Sequence, residues 1–377
     1  MRLTHRLTSA IVLVVVPNLA LAAHIVQHNL VSDQPGKADH MDVNLVNPWG
    51  IARGPSTAWW LSDNGTGVST LYAGDGTAVA QLPKVTVPPP AGSPPGTTSA
   101  PTGVVFNGTV DFMINAKPTP FLFVTEDGTI SAWAPAIDTQ NAQLVIDHSK
   151  SAAGAIYKGA AIAQEGASNR LYVANFHTGA IEVYDANFQP VAMSTGAFTD
   201  PRIPADFAPF NVANIDGRLL VTFAMQQEPD RMDEVDGPGL GYVDVFDPTG
   251  VLVMRLEHGW WMNAPWGVAH APASFSRFRN RLLIGQFGSG QIASFDPHTG
   301  EFEGLLRGPR GKAIRIDGLW GLEFGNDGTA GPSTVLFFTA GTDDEAHGLF
   351  GTLMPSKPGD DGDNDRNDHQ GDGHGDH

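Results

Sequence analysis

The sequence predicts an all-β chain folded as a six-bladed β-propeller, and three observations predict it. One pentad recurs six times at a near-constant interval. A strand–turn–strand signal follows it inside the intervals. The last interval is one strand short, and a strand of suitable length stands at the opposite end of the chain. The pentad reads Pro48-Trp49-Gly50-Ile51-Ala52, Pro101-Thr102-Gly103-Val104-Val105, Tyr157-Lys158-Gly159-Ala160-Ala161, Pro209-Phe210-Asn211-Val212-Ala213, Pro265-Trp266-Gly267-Val268-Ala269 and Leu319-Trp320-Gly321-Leu322-Glu323. Its third positions are 50, 103, 159, 211, 267 and 321, so the steps are 53, 56, 52, 56 and 54 residues. A period of that size marks a repeat architecture.

Taken in chain order, the first element is a leader. Arg2 and Arg6 precede an apolar run from Ala10 to Val16 and the small-residue stretch Ala20-Leu21-Ala22-Ala23. This is the pattern of a secretory signal over residues 1–23, cleaved after Ala22 or Ala23. It implies a periplasmic or extracellular protein. The run is too short for a comfortable membrane span, and no later segment is long enough for one. Ile25 to Val31 then reads as a strand.

Each repeat places its pentad on an innermost strand, where Gly and Ala permit close approach. A hairpin follows, as in Arg170-Leu171-Tyr172-Val173-Ala174-Asn175 leading to Gly179-Ala180-Ile181-Glu182-Val183-Tyr184. Blades one, two and five carry the same signal from Trp59, Phe121 and Arg281. Gly-rich corners such as Asp296-Pro297-His298-Thr299-Gly300 start a further strand, giving four per blade. A solenoid would need caps at both ends, and neither end supplies one. The last repeat fits only three strands, near Leu319 to Phe324, Val335 to Ala340 and Gly348 to Leu353. Pairing Ile25 to Val31 with it would close the ring and remove an exposed sheet edge. The propeller is expected over residues 24–355. Residues 356–377, with seven Asp against Lys357 and Arg366, read as a disordered acidic tail whose Asp and His residues could bind metal weakly.

Composition narrows the function classes. Among 377 residues there is no Cys, which excludes disulfides, thiolate metal sites and a cysteine nucleophile. Only 16% of residues are charged, with 44 Gly and 28 Pro, which favours short strands and turns. The formal charge of −18 becomes −20 once Arg2 and Arg6 leave with the signal. Such a surface disfavours nucleic acid as a partner. A monomer is expected.

The strand–turn–strand pattern resembles NHL-type repeats and the gluconolactonase and regucalcin-like propellers. From about His24 to Pro355 the chain more closely resembles an uncharacterised family of secreted bacterial propellers. The matching segments are Asn47-Pro48-Trp49-Gly50, Thr125-Glu126-Asp127-Gly128-Thr129-Ile130, Tyr157-Lys158-Gly159, Asn263-Ala264-Pro265-Trp266-Gly267, Asp317-Gly318-Leu319-Trp320-Gly321 and His347-Gly348-Leu349-Phe350-Gly351. The resemblance implies the architecture and leaves the chemistry open.

Long loops gather on one face. They are the links entering blades two, four and five, the blade-four insertion from Gln226 to Gly239, and the blade-six turn Asp343-Asp344-Glu345-Ala346-His347. Such a face suits binding. Three readings compete there. Asn47, Asn211, Asn263 and Asp317, each at or just before an inner strand, could hold Ca²⁺ or another divalent cation through oxygen ligands, or could simply cap turns beside Pro. Lactonase-type propellers are similar in placing Asn and acidic ligands around a channel metal, but Asn47-Pro48 stands here in place of their first-blade Glu. Trp49, Tyr157, Phe210, Trp266 and Trp320, with Trp260 and Trp261 nearby, could line a ligand mouth or pack between blades. Asp230, Asp233 and Asp236 could order the blade-four loop around Ca²⁺, although the spacing is not that of an EF-hand; a solvated acidic loop is the default.

Other enzyme signals are sparse. His177, His270 and His347 show no HExxH spacing, and no Gly-x-Ser-x-Gly elbow occurs. Lys158 puts a cation near the channel, where Glu126 or Asp317 could pair with it. The leading expectation is a binding protein for a small molecule, glycan or protein on the loop-rich face. The alternative is a metal-dependent hydrolase or lyase in which Glu126, Lys158 or His347 moves protons.

Overall fold

A computed structural model describes residues 24–356. The expected signal over 1–23 and nearly all of the expected tail lie outside these residues. Six sheets are arranged as a β-propeller. Blade one runs Pro48–Ala52, Trp59–Asp63, Val68–Tyr72 and Lys84–Thr86 from the axis outward. Blade two runs Pro101–Phe106, Phe121–Thr125, Thr129–Trp133 and Gln143–Asp147. Blade four is built from Phe207–Ile215, Arg218–Gln226, Tyr242–Phe246 and Leu252–Arg255, and blade five from Pro265–His270, Leu282–Gln286, Ile292–Phe295 and Phe302–Leu305.

Blade three has three regular strands, Tyr157–Glu165, Ser168–Asn175 and Ala180–Tyr184. Its fourth position is held by a short segment that makes one bridge, Tyr184 with Pro190, and one bond from Val191 N to Val183 O. Pro190 has no N–H to lend to a longer ladder.

Blade six is the closure. Leu319–Phe324, Leu336–Thr342 and His347–Pro355 are followed outward by Ile25–Ser32, antiparallel to the last of them from Ile25–Pro355 to Ser32–Leu349. His40–Met41 then covers part of the outer edge in parallel. Ile25, Leu30 and Val31 are buried, so the closing strand contributes to two packing clusters as well as to a ladder.

The pentad has a common geometry. In all six blades the pairing of the inner strand with its neighbour slips within the pentad, as between Pro48 and Ile51 or between Tyr157 and Gly159. A bulge at that point re-aims a side chain out of the sheet. The third pentad position forms a collar of close contacts between neighbouring inner strands. A Cβ on Gly50 would sit 2.5 Å from Thr102 O, one on Gly267 2.5 Å from Trp320 O, and one on Gly321 2.8 Å from Trp49 O. Glycine fills this position in five blades, where the backbones of adjacent blades touch, and Asn211 stands there in blade four. Side chains lock the same ring: Thr102 Oγ1 donates to Tyr157 O at 2.7 Å, Asn211 Nδ2 to Trp266 O at 2.8 Å, and Thr339 Oγ1 to Trp49 O at 2.7 Å.

Candidate functional site

Four of the six second-position residues are aromatic: Trp49, Phe210, Trp266 and Trp320; the other two are Thr102 and Lys158. The four rings form one buried cluster with Phe176 and Phe287 that closes the channel near the loop-rich face. Trp49 stacks on Trp320 with centroids 3.5 Å apart, Phe287 stacks on Trp320 at 4.0 Å, and Trp266 meets both tryptophans edge-on. Two readings were open for these rings, a ligand mouth or packing against one another. In the structure they pack against one another, four large side chains re-aimed by bulges toward one narrow axis. Tyr157, the fifth, points elsewhere. Its hydroxyl joins His148 Nδ1 at 2.8 Å, Glu182 Oε2 at 2.8 Å and Tyr184 at 3.3 Å. Trp261 stacks on Phe302 at 3.9 Å, while Trp260 is 61% exposed.

Lys158 completes the layer and is fully buried. Its Nζ lies 2.5 Å from Glu126 Oε1 and 3.9 Å from Asp233 Oδ1. The rings of Trp49, Phe176 and Phe210 surround it, with centroids 4.8, 5.6 and 5.9 Å from Nζ. Burial alone would strip the proton from this amine. The carboxylates of Glu126, Glu234 and Asp233 outweigh that effect and hold its pKa above the ordinary lysine value. Lys158 is therefore a fixed cation at the floor of a carboxylate basin, enclosed on its other sides by ring faces.

The basin draws on alternate blades. Glu126 sits at the turn after the second strand of blade two, where Asn64 Nδ2 donates to its second oxygen at 2.7 Å. Glu234 arrives through the blade-four insertion, which turns back and pairs Glu234–Val235 with Met225 and Gln226. Burial pushes the Glu234 carboxyl up to about 7; Lys158 opposes this, and Glu345 and Glu126 reinforce it. Glu345 comes from the blade-six turn and accepts from Asn47 Nδ2 at 2.6 Å. Its pKa is also raised, by burial first, against the bond from Asn47. The turn that presents it has three successive non-glycine residues in the left-handed region, Asp343, Asp344 and Glu345, at φ 53°, 57° and 64°. Such backbone costs about 1 kcal/mol per residue, and in exchange it aims Glu345 at the basin.

The four expected metal ligands do not act as a set. Asn47 Oδ1 accepts from Trp320 Nε1 at 3.0 Å, Asn211 Oδ1 from Val212 N at 2.8 Å, Asn263 Oδ1 from Gly237 N at 2.6 Å, and Asp317 Oδ2 from Asp343 N at 2.8 Å. Each oxygen caps a different local structure, as Asn and Asp beside turns commonly do. Among the described residues no group of three or more His, Cys, Asp or Glu is arranged to hold an ion. His347 is diverted as well: its Nδ1 lies 2.7 Å from Asp33 Oδ2 and anchors the segment after the closing strand. Of Glu126, Lys158 and His347, the structure joins the first two only. Asp230 is exposed, with its backbone carbonyl 3.0 Å from His177 Nδ1, and Asp233, also largely exposed, comes within 3.9 Å of Lys158 Nζ. Glu234 and Glu345 were visible in the sequence as loop acids, but nothing there singled them out from their acidic neighbours.

The fold and this site define a six-bladed β-propeller with a charged basin above an aromatic plug. The chain is 30% identical over 336 residues to the uncharacterized protein R648 of Acanthamoeba polyphaga mimivirus, covering 86% of this chain and 78% of that one. It is 30% identical over 352 residues to the uncharacterized protein L690 of the same virus, covering 90% and 87%. The chain belongs to the family of these proteins. No family profile matches it. Among solved structures, a streptogramin B lyase has a TM-score of 0.50 at 10% identity, covering 89% of this chain and 98% of that one. A glucose dehydrogenase has 0.51 at 13%, covering 88% and 99%. At such identities the likeness shows the fold alone.

Proposed function

We propose that the chain binds a small molecule bearing a cationic group in the basin above Lys158. One observation carries this reading. Glu126, Asp233, Glu234 and Glu345 converge over a single buried cation, so the negative charge exceeds what Lys158 can neutralise. Burial first, and the neighbouring acids after it, make Glu234 and Glu345 hold their protons more tightly. An incoming ammonium would supply the missing charge and release those protons, as paired charges of opposite sign favour each other's ionised forms. The basin lies on the face with the long loops, where the insertion carrying Glu234 forms one wall.

The experiment is calorimetric titration of the full chain with propylammonium at pH 6 and pH 8, with propionate as control. Saturable binding that tightens toward pH 8, with proton release, is expected. Glu345→Gln should weaken it about tenfold, the scale of one hydrogen bond to a charged group. Absence of saturable propylammonium binding, or preference for propionate, would sink the reading.

A second reading rests on Glu234. A carboxyl held near pH 7 beside a permanently charged lysine is suited to accept and return a proton. In that reading the protein is a lyase or hydrolase acting on the bound molecule by acid–base chemistry, with Glu234 as the proton carrier and Lys158 as the charge that positions Glu126. Its signature is a pH–rate profile with a limb near 7 that disappears in Glu234→Gln.

A further inference from the structure

The plug divides the axis into two compartments, and the second opens on the opposite face. A cavity of about 260 Å³ runs from the glycine collar to the far ends of the inner strands. Its inner end is set by Trp266 and Asn211, and its wall is mostly apolar, with Val104, Ala160, Val212 and Leu322 among the lining residues. Ala160 and Ala213 lie on innermost strands yet keep part of their exposure, because they face this space. The basin above Lys158 lies at the opposite ends of the same strands, so the two compartments are separate.

Two charged side chains line the cavity, Glu323 at the fifth position of its pentad and Arg53 one residue beyond its own. Arg53 Nε donates to Phe324 O at 2.7 Å, which fixes the guanidinium plane. Its Nη2 is 3.5 Å from Glu323 Oε1, a separation at the outer limit of a hydrogen bond. Arg53 keeps unused N–H donors, and Glu323 keeps lone pairs. Apolar walls with a few convergent polar groups are the usual make-up of a small-molecule site, and the volume is near the roughly 300 Å³ lower end of such sites.

The pairing selects the ligand head. Arg53 alone would attract a carboxylate, and Glu323 alone an ammonium. Side by side, each repels the ion that the other attracts. A zwitterion would satisfy both but must bring two more charges out of water, a large cost. A neutral head that accepts on one side and donates on the other meets both groups without that cost. We infer that the channel on the face opposite the loops is a second binding site, for a primary carboxamide with a short apolar tail: its carbonyl accepts from Arg53, its NH₂ donates to Glu323, and its tail lies along the apolar wall.

The test uses the full chain and ligand-observed NMR with hexanamide, N,N-dimethylhexanamide, hexanoate and leucine. Hexanamide should bind saturably, and the dimethyl analogue, which lacks the N–H, about tenfold more weakly. Arg53→Met should cost hexanamide about tenfold as well, with propylammonium binding on the other face unchanged. If Arg53→Met fails to fold, the comparison of the two amides on the native protein still decides. Equal binding of both amides, tighter binding of hexanoate or leucine, or no saturable binding of hexanamide would each overturn the inference.

Discussion

Asn47 Nδ2 and Glu345 Oε2 meet at 2.6 Å across the seam between the first and last blades, although 298 positions separate them in the chain. Asn47 itself is left-handed, at φ 47°, and its other amide atom accepts from Trp320. One asparagine thus ties the aromatic plug to the acidic basin, and the turn at Asp343–Glu345 is bent to reach it.

That bend gives the first prediction. Asp344 has φ 57°, where glycine has no steric penalty. Asp344→Gly should therefore stabilise the protein by about 1 kcal/mol, less the entropy that glycine gains on unfolding. Urea unfolding of the two proteins measures it. An unchanged or lower midpoint would show that the side chain of Asp344 matters more than its backbone.

Glu234 gives the second. Unfolded, it releases its proton near 4.5; folded, it holds it to about 7. Between those values the folded state carries the extra proton, so its stability falls as pH rises through this window. Glu234→Gln removes the dependence. The variant should melt roughly 2–4 °C above the parent at pH 8, and the gap should close toward pH 5. Melting curves at the two pH values decide it.

The tryptophans of the plug give the third. Trp320 Nε1 is bonded to Asn47, whereas Trp49 Nε1 is buried with no hydrogen-bond partner among the described residues. Replacing each by Phe removes a similar ring area, but only Trp320→Phe leaves an asparagine oxygen without its donor. Trp320→Phe should cost about 1 kcal/mol more than Trp49→Phe. Equal costs in denaturant unfolding would contradict the assigned bonds.

Lys158 gives the fourth. Lys158→Met leaves Glu126 and the raised acids facing the rings with no cation, and breaking a buried pair from one side costs about 3 kcal/mol. The same change should lift the titration of Glu234 further above 7, since Lys158 is the group that holds it down. Carboxyl-observed NMR titration of the variant tests this, and an unmoved Glu234 would remove Lys158 from the basin.

The fold was legible because its repeating contact is written in one residue type. The collar holds glycine in five blades, where backbones of adjacent blades touch, so Gly50, Gly103, Gly159, Gly267 and Gly321 announce the period directly. The closing strand was legible by subtraction, since blade six lacked a partner for His347–Pro355. Lys158 stood out because a charged residue interrupts a row of aromatic ones. Glu234 and Glu345 did not, because their place depends on how an insertion folds back and on a left-handed turn, neither of which follows from hydrophobic periodicity. Asn211, Asn263 and Asp317 left two readings open for a related reason. Residue type alone does not distinguish an oxygen that caps a backbone N–H from one free to coordinate an ion.

Ser356 N donates to His24 O at 2.7 Å, so the two ends of the described span lie side by side on the rim of blade six. A linker of a few residues could join them there. New termini could then be cut into an exposed corner of another blade, such as the one at His298 and Thr299, without disturbing the plug. In such a permutant the seam would move while both compartments stayed whole, which makes the ring itself, rather than the order in which the chain visits it, the unit that natural variation can rearrange.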